Sequence, residues 1–255
     1  MSADGQGRPP TAFRATEIVT GYGGAPVVNG VSADVGFGEV VSIVGPNGSG
    51  KSTFLKSLVG VLKVTAGRVV MGDADLTNWA PEEVARHGVG YVPQVDDVFE
   101  PLTVRENLEM GGYLLNSKQL PGRIEAVVGV FPVLARMLGR PAGKLSGGER
   151  KMLAMGRVLM LEPKVLVLDE PTANLAPAVA RTLLEDHVLR LAAAGAAVLL
   201  VEQRAKSALA ISNWTYVLGG GRCRMQGTPA QLGTDPEFVE SFLGGGKEQP
   251  AARVE

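Results

Sequence analysis

The run Gly45-Pro46-Asn47-Gly48-Ser49-Gly50-Lys51-Ser52 sits between an apolar stretch and a helix-like one. Its glycines let successive backbone N–H groups curl around an anion with no Cβ in the way. A helix beginning near Lys51 turns its positive dipole end toward the same point. Lys51 adds a cation, and the Ser52 hydroxyl can ligate a divalent metal. Together these groups suit the β- and γ-phosphates of a nucleotide with Mg²⁺. The run fits G-x-x-x-x-G-K-[ST] at every position. For Thr53, next in the chain, a hydrogen bond on the α-phosphate side and a place on the helix surface both remain open.

Far downstream, Val165–Leu168 leads into Asp169-Glu170-Pro171. A carboxylate ending a buried strand is costly unless a cation compensates it, which suits Asp169 to a metal. Strand alternation turns Glu170 to the other face, where it can polarise an attacking water as general base. Between these two motifs stands Leu145-Ser146-Gly147-Gly148-Glu149, which would place N–H groups and a hydroxyl at a helix start.

The elements that position these residues alternate. Phe13–Val19 and Gly38–Val44 read as strands, Lys51–Leu62 as a helix and Gly67–Met71 as a short strand. Pro81–His87 is predicted helical with Pro in its first turn, and Val89–Val92 is a strand leading into Pro93-Gln94. From Leu102 to Met160 no strand is expected. Thr103 can cap a helix over Val104–Leu115, with Glu106 completing a capping box. Further helices are expected at Ile124–Val130 and Glu149–Leu161. Strand Val165–Leu168, helix Pro177–Ala194, strand Ala197–Glu202, helix Arg204–Ile211, strands Tyr216–Leu218 and Arg222–Gly227, and a short helix Phe238–Leu243 follow. Strands separated by helices imply a mostly parallel sheet covered on both faces. Residues 1–12 and 244–255 read as flexible tails.

Composition narrows the class further. The chain has 255 residues, enough for a sizeable core, and a net charge of −1 gives no global case for nucleic acid or an anionic surface. Its single cysteine, Cys223, excludes an intramolecular disulfide and a cysteine-based zinc site and reads as structural. No apolar run approaches a bilayer span, and the first ten residues lack the pattern of a signal peptide. A soluble cytosolic chain is expected, with any membrane association through a partner.

The three motifs, in this order, resemble those of the ATP-binding cassette (ABC) ATPases over about Phe13 to Leu243. The resemblance implies an α/β P-loop NTPase (RecA-like) core with a mostly parallel sheet, an antiparallel β-subdomain and an inserted helical subdomain. It implies one cassette over 13–243, with residues 13–95 and 161–243 as the nucleotide-binding core and 96–160 as the helical part. The cofactors implied are ATP and Mg²⁺. Gln94 matches a glutamine that ligates Mg²⁺ and links to the helical part, and Tyr22 matches an aromatic that stacks on adenine. Ser146, Gly147, Gly148 and Glu149 would complete the ATP site of a second subunit in a head-to-tail dimer. Gln203 stands where the family usually has a histidine at the γ-phosphate, and an amide can donate there but carries no charge. Ala176 replaces the aspartate that usually bridges the subunits. Glu149 stands where Gln is commoner, and nothing in the sequence accounts for it. His87 and His187 do not fill the histidine's place and read as structural.

Several stretches resemble the smaller ATPase of branched-chain amino-acid importers: Leu102–Tyr113, Phe131–Leu134, Asn174–Pro177 and Val201–Ala205. In that branch Gln at the histidine position and Leu-Ala-Pro after the acid pair are usual. Tyr91–Gln94 and Met137–Arg140 are also reminiscent of urea importers, so urea, amides or other amino acids stay open as cargo. The branch implies a non-identical second ATPase, transmembrane permease subunits and, indirectly, a substrate-binding protein, at the cytoplasmic face of the membrane. A chromosome-maintenance ATPase would need heptads that are absent, and a soluble translation-type protein would normally carry two cassettes.

Overall fold

The computed structural model describes residues 8–95 and 97–243. Among the described residues ten strands form two sheets. The first is antiparallel, in the order β2-β1-β4-β5, from β1 (Thr11–Thr20), β2 (Val28–Gly36), β4 (Val64–Met71) and β5 (Ala74–Asp75). The second runs β10-β9-β3-β8-β7-β6, from β3 (Val40–Val44), β6 (Val89–Val92), β7 (Val165–Asp169), β8 (Ala197–Glu202), β9 (Trp214–Gly219) and β10 (Arg222–Gly227). It is parallel apart from β10, which pairs antiparallel with β9.

Helix α1 (Lys51–Leu58) follows β3, and α2 (Pro81–Arg86) precedes β6. Between β6 and β7 lie α3 (Val104–Gly111), α4 (Leu120–Val130), α5 (Pro132–Ala135) and α6 (Gly147–Leu159). The predicted capping box starts α3: Thr103 N donates to Glu106 Oε2 at 2.7 Å and Glu106 N to Thr103 Oγ1 at 3.2 Å. After β7 comes α7 (Pro177–Arg181), continued by a π-helical stretch over Thr182–Val188 and then α8 (Leu189–Ala193). Helix α9 (Ala205–Leu209) follows β8.

The central strands are buried on both faces, and alternate residues feed different cores. In β7, Val165 and Val167 pack with α1 and the antiparallel sheet, while Leu166 and Leu168 pack with the helices between β6 and β7. That explains the near-continuous apolar runs in β3, β7 and β8. His87 packs edge-on against Trp79, and buried His187 lies against Phe131, so both are structural. Cys223 is half-buried on β10, where burial pushes its thiol pKa up.

Three expectations are corrected. Strand β2 was not expected, because its inward residues Val28 and Val31 are three apart and break the two-residue alternation. The bulged register between β1 and β2 and the left-handed Gly30 (φ 72°) absorb the extra residue. Helix α1 ends at Leu58, short of Leu62, because Gly60 turns the chain at φ 77° with its Cα against the Trp79 carbonyl. Residues 8–12 are not a tail. Arg8 Nε donates to Glu39 Oε1 at 2.8 Å, its guanidinium lies 5.2 Å from the Trp214 ring, and Thr11 already pairs with β2. The remainder of the expected N-terminal tail and the whole of 244–255 lie outside the described residues.

Glu39 is 2% exposed and depends on Arg8 and the Gly36 N–H for its charge balance. Arg8→Ala should therefore cost roughly 3 kcal/mol in urea unfolding, and adding Glu39→Gln should recover much of it, since the loss comes from a lone buried charge. A change of less than about 0.5 kcal/mol would mean this segment is only a surface appendage.

Candidate functional site

Parallel registration brings the chemistry-bearing loops to one edge. Val44 pairs with Glu202, Asp169 with Val201, and Val92 with Leu168. The loop at Gly45, the turn at Gln203, the pair Asp169-Glu170 and Gln94 therefore emerge side by side at the carboxyl ends of β3, β8, β7 and β6. This is the edge at which open α/β sheets bind ligands.

The 45–52 loop is built around close approaches. Gly50 caps α1 with φ 99°, and a Cβ there would lie 3.2 Å from the Val27 carbonyl oxygen. Lys51, 4% exposed, donates from Nζ to the Gly45 and Pro46 carbonyls at 2.9 and 3.1 Å. Burial lowers its pKa, opposed by Glu170, Asp169 and Glu202. Ser49 Oγ is buried and has no hydrogen-bond partner among the described residues, a donor set inside the loop's curl of N–H groups. Thr53 is buried in the first turn of α1, which excludes the open helix-surface alternative.

The loop and the acid pair meet directly: Ser52 Oγ donates to Asp169 Oδ1 at 2.9 Å. Tyr91 Oη donates to Asp169 Oδ2 at 3.4 Å. Burial raises the Asp169 pKa, opposed by these two hydrogen bonds and by Lys56 and Lys51. Glu170 adopts φ 45°, a left-handed conformation that costs a non-glycine residue about 1–2 kcal/mol, while its N–H donates to the Val201 carbonyl at 3.0 Å. Its Oε2 accepts from Gln94 Nε2 at 3.0 Å, and burial raises its pKa against the pull of Lys51. The two carboxylates thus have different partners, but strand alternation is not the reason: β7 ends at Asp169, and the left-handed turn at Glu170 sets its direction.

Ser52, Asp169 and Gln94 offer a hydroxyl, a carboxylate and an amide oxygen, a hard oxygen set suited to Mg²⁺. Among the described residues no three His, Cys, Asp or Glu side chains cluster to hold a metal alone. The set fits a cation that shares its ligands with phosphates. Gln203 is exposed just beyond β8. Tyr22 is 63% exposed on the β1–β2 loop, whose Val27 abuts Gly50.

The glycine-rich run stands apart from this cluster. Ser146 caps α6, with its N–H donating to Glu149 Oε2 at 2.8 Å and its Oγ accepting from Glu149 N at 3.4 Å. Glu149 thereby acquires the reason that the sequence lacked: it closes a capping box and places negative charge at a helix N-terminus. Ser146 and Gly147 are exposed, and Gly148 packs against Val179 of α7. Among the described residues no hydrogen bond joins this run to the chain's own 45–52 loop.

Three participants escaped sequence reasoning. Tyr91 is a hydroxyl in an otherwise apolar strand, a signal that a polar partner is needed. Glu202, 2% exposed, accepts at Oε1 from Thr172 N and Oγ1 at 3.1 and 2.7 Å. Lys151 is a cation on the inward side of α6.

Comparisons with known proteins identify the family. Residues 28–173 match the family model described as ABC transporter. The chain is 39% identical over 233 residues to the probable branched-chain amino acid transport ATP-binding protein LivF of Archaeoglobus fulgidus, covering 91% of this chain and 98% of that one. It is 38% identical over 229 residues to the high-affinity branched-chain amino acid transport ATP-binding protein BraG of Pseudomonas aeruginosa, covering 90% and 98%. A crystal structure of the ADP conformation of an ATP-binding cassette superposes with a TM-score of 0.82 at 32% identity, covering 92% of this chain and 99% of the other.

Burial pushes Glu202 up to about 7, against the Thr172 hydrogen bonds and with help from Glu170. The folded state thus holds a proton that the unfolded chain releases near pH 4.5, so stability falls as pH rises from 4.5 to about 7 and is level above. At ~1.4 kcal/mol per pH unit this loss is on the order of 3 kcal/mol. Glu202→Gln, which mimics the neutral acid, should match the wild type near pH 4.5 and exceed it at pH 8 in denaturant unfolding. Equal stability at both pH values would refute the assignment.

Proposed function

The chain belongs to the ABC transporter family, and from that membership we propose that it is the ATP-hydrolysing subunit of a branched-chain amino-acid importer. It is an ABC cassette ATPase; the cargo, the residue roles and the partners are our reading. The observation that carries the roles is the Ser52–Asp169 hydrogen bond, which joins the phosphate loop to the acid pair.

In this reading the N–H groups of Gly48 to Ser52 and the start of α1 hold the ATP phosphates, Lys51 swings from its two carbonyls to the β/γ-phosphates, and Thr53 serves the α-phosphate side. Tyr22 stacks on adenine. Ser52, Asp169 and Gln94 hold Mg²⁺, which when bound neutralises charge developing on the phosphates. Glu170 takes the proton of the attacking water, and Gln203 donates a hydrogen bond to the γ-phosphate. Ser146, Gly147 and Gly148, which among the described residues make no hydrogen bond to their own loop, serve the phosphates bound by a second ATPase subunit, so each site is shared.

A groove of about 360 Å³ opens between α2, β6, α3 and α6, lined by Val61, Val84, Tyr91, Met110, Tyr113 and Val158. Val61, Met110 and Tyr113 are each at least half exposed, a surface suited to an apolar helix of a permease. No helix among the described residues is long and apolar enough to cross a membrane, so attachment to its cytoplasmic face runs through such a partner. The full-length likeness to LivF and BraG supports branched-chain amino acids as cargo, selected by other subunits.

Glu170→Gln should lower ATP turnover at least ~100-fold while leaving ATP binding intact and trapping an ATP-bound dimer in size-exclusion chromatography. Unchanged hydrolysis would overturn the base assignment. Reconstituted with its permease, second ATPase and binding protein, the chain should drive ATP-dependent uptake of radiolabelled leucine. Uptake of urea without leucine would overturn the cargo.

A further inference from the structure

Lys151 lies five residues beyond Ser146 on α6, with its side chain and that of Asp97 only 9% and 6% exposed. Its Nζ donates to Asp97 Oδ2 at 2.6 Å, to the Gln94 carbonyl at 2.7 Å and to the Pro93 carbonyl at 3.5 Å. An ammonium has three protons, and all three are used. Other described residues of the loop are held by side chains of α6 and α3. Arg157 donates to the Asp97 carbonyl and stacks 4.4 Å from the Phe99 ring, Arg150 pairs with Glu100, and Asn107 bonds both the N–H and the carbonyl of Phe99.

Gln94 is therefore gripped from two directions. Its side-chain amide donates to Glu170 at the carboxyl edge of the parallel sheet, and its main-chain carbonyl is bound by the helix that carries Ser146. A buried ion pair contributes little net stability once desolvation is counted, so the consequence of Lys151–Asp97 lies in fixing one arrangement of this loop. The span from Ser146 to Lys151 is about 7.5 Å of continuous helix, short enough to move as a rod.

From this geometry we infer that Lys151 is a positioning residue that ties Gln94 to the helix carrying the glycine-rich run. When Ser146 engages phosphate on a second subunit, the displacement of α6 is delivered through Lys151 to the Gln94 main chain. The Gln94 amide passes it to Glu170 in the chain's own site. One chain thereby relates the site it completes for its partner to the site it holds itself. The inference rests on the reading that Gln94 and Glu170 act in ATP hydrolysis, and it assigns the link between the two half-sites to a residue that contacts no nucleotide.

The test uses the chain assembled with its partners. Lys151→Gln combined with Asp97→Asn removes both charges, so no lone buried charge opposes folding, and retained ATP binding reports a folded site. The pair should lower kcat about fivefold or more with KM for ATP changed less than about twofold. Lys151→Arg, which keeps a charged donor, should restore at least about half of the wild-type rate. In a Gln94→Ala background the pair should have no further effect, because its action runs through Gln94. Wild-type kcat in the pair variant, or losses that multiply with those of Gln94→Ala, would overturn the link and leave the proposed function standing. If Gln94→Ala alone leaves kcat unchanged, the role proposed for Gln94 fails, and the link fails with it.

Discussion

The parallel registration of β3, β8, β7 and β6 is the constraint on which the rest depends. Each strand ends in one layer, so Gly45, Glu202, Asp169 and Val92 are set by sheet hydrogen bonds and by packing on both faces. A slip of one residue in β7 would exchange the Leu166–Leu168 face with the Val165–Val167 face and turn Asp169 away from Ser52. Both faces are buried, so the carboxylate is held by the core as firmly as the core is packed. The strained φ of Glu170 is tolerable on the same ground, since its N–H continues the ladder to Val201.

Electrostatics follows from that convergence. Asp169, Glu170 and Glu202 gather near Lys51, and burial raises the pKa of all three acids while it lowers that of the lysine. Lys51, with Lys56 acting on Asp169 and Arg204 on Glu202, does not offset the burial that raises these acids. A phosphate chain entering alone would add repulsion; a divalent cation entering with it removes the repulsion and stabilises the ionised carboxylates. In the proposed reading, binding of nucleotide and of metal would therefore belong together in this site. The proton that Glu202 holds near neutrality is the protein's own partial remedy.

What could be read in the sequence was the chemistry that acts locally. The 45–52 loop is legible because each glycine and the Lys-Ser pair answer to one backbone path, and the Thr103–Glu106 box because its partners lie within one turn. Strand β2 was not legible, since a bulge hides its alternation. Also hidden were contacts between residues remote in sequence: Lys151 with Asp97, Glu202 with Thr172, Tyr91 with Asp169. A buried polar side chain announces that it needs a partner but does not say which one. Glu149 is the intermediate case, a residue without evident purpose until its carboxylate is seen on the Ser146 N–H.

That capping box bears on how, in the proposed reading, one helix would serve two sites. Ser146 Oγ accepts from Glu149 N, which leaves the hydroxyl proton available to donate outward. The Ser146 N–H is taken by the Glu149 carboxylate, whereas first-turn groups such as the N–H of Gly147 and Gly148 have no intrahelical acceptor. The exposed end of α6 is therefore set with donors before any ligand arrives. Little more than one turn further, the same helix turns Lys151 inward, where every donor is already engaged on the Gln94 loop. Outward donors unspent and inward donors saturated make α6 a rod fastened at one end and receptive at the other. Such a rod transmits displacement only while the inward end stays fixed, and burial of the Lys151–Asp97 pair keeps water from replacing it.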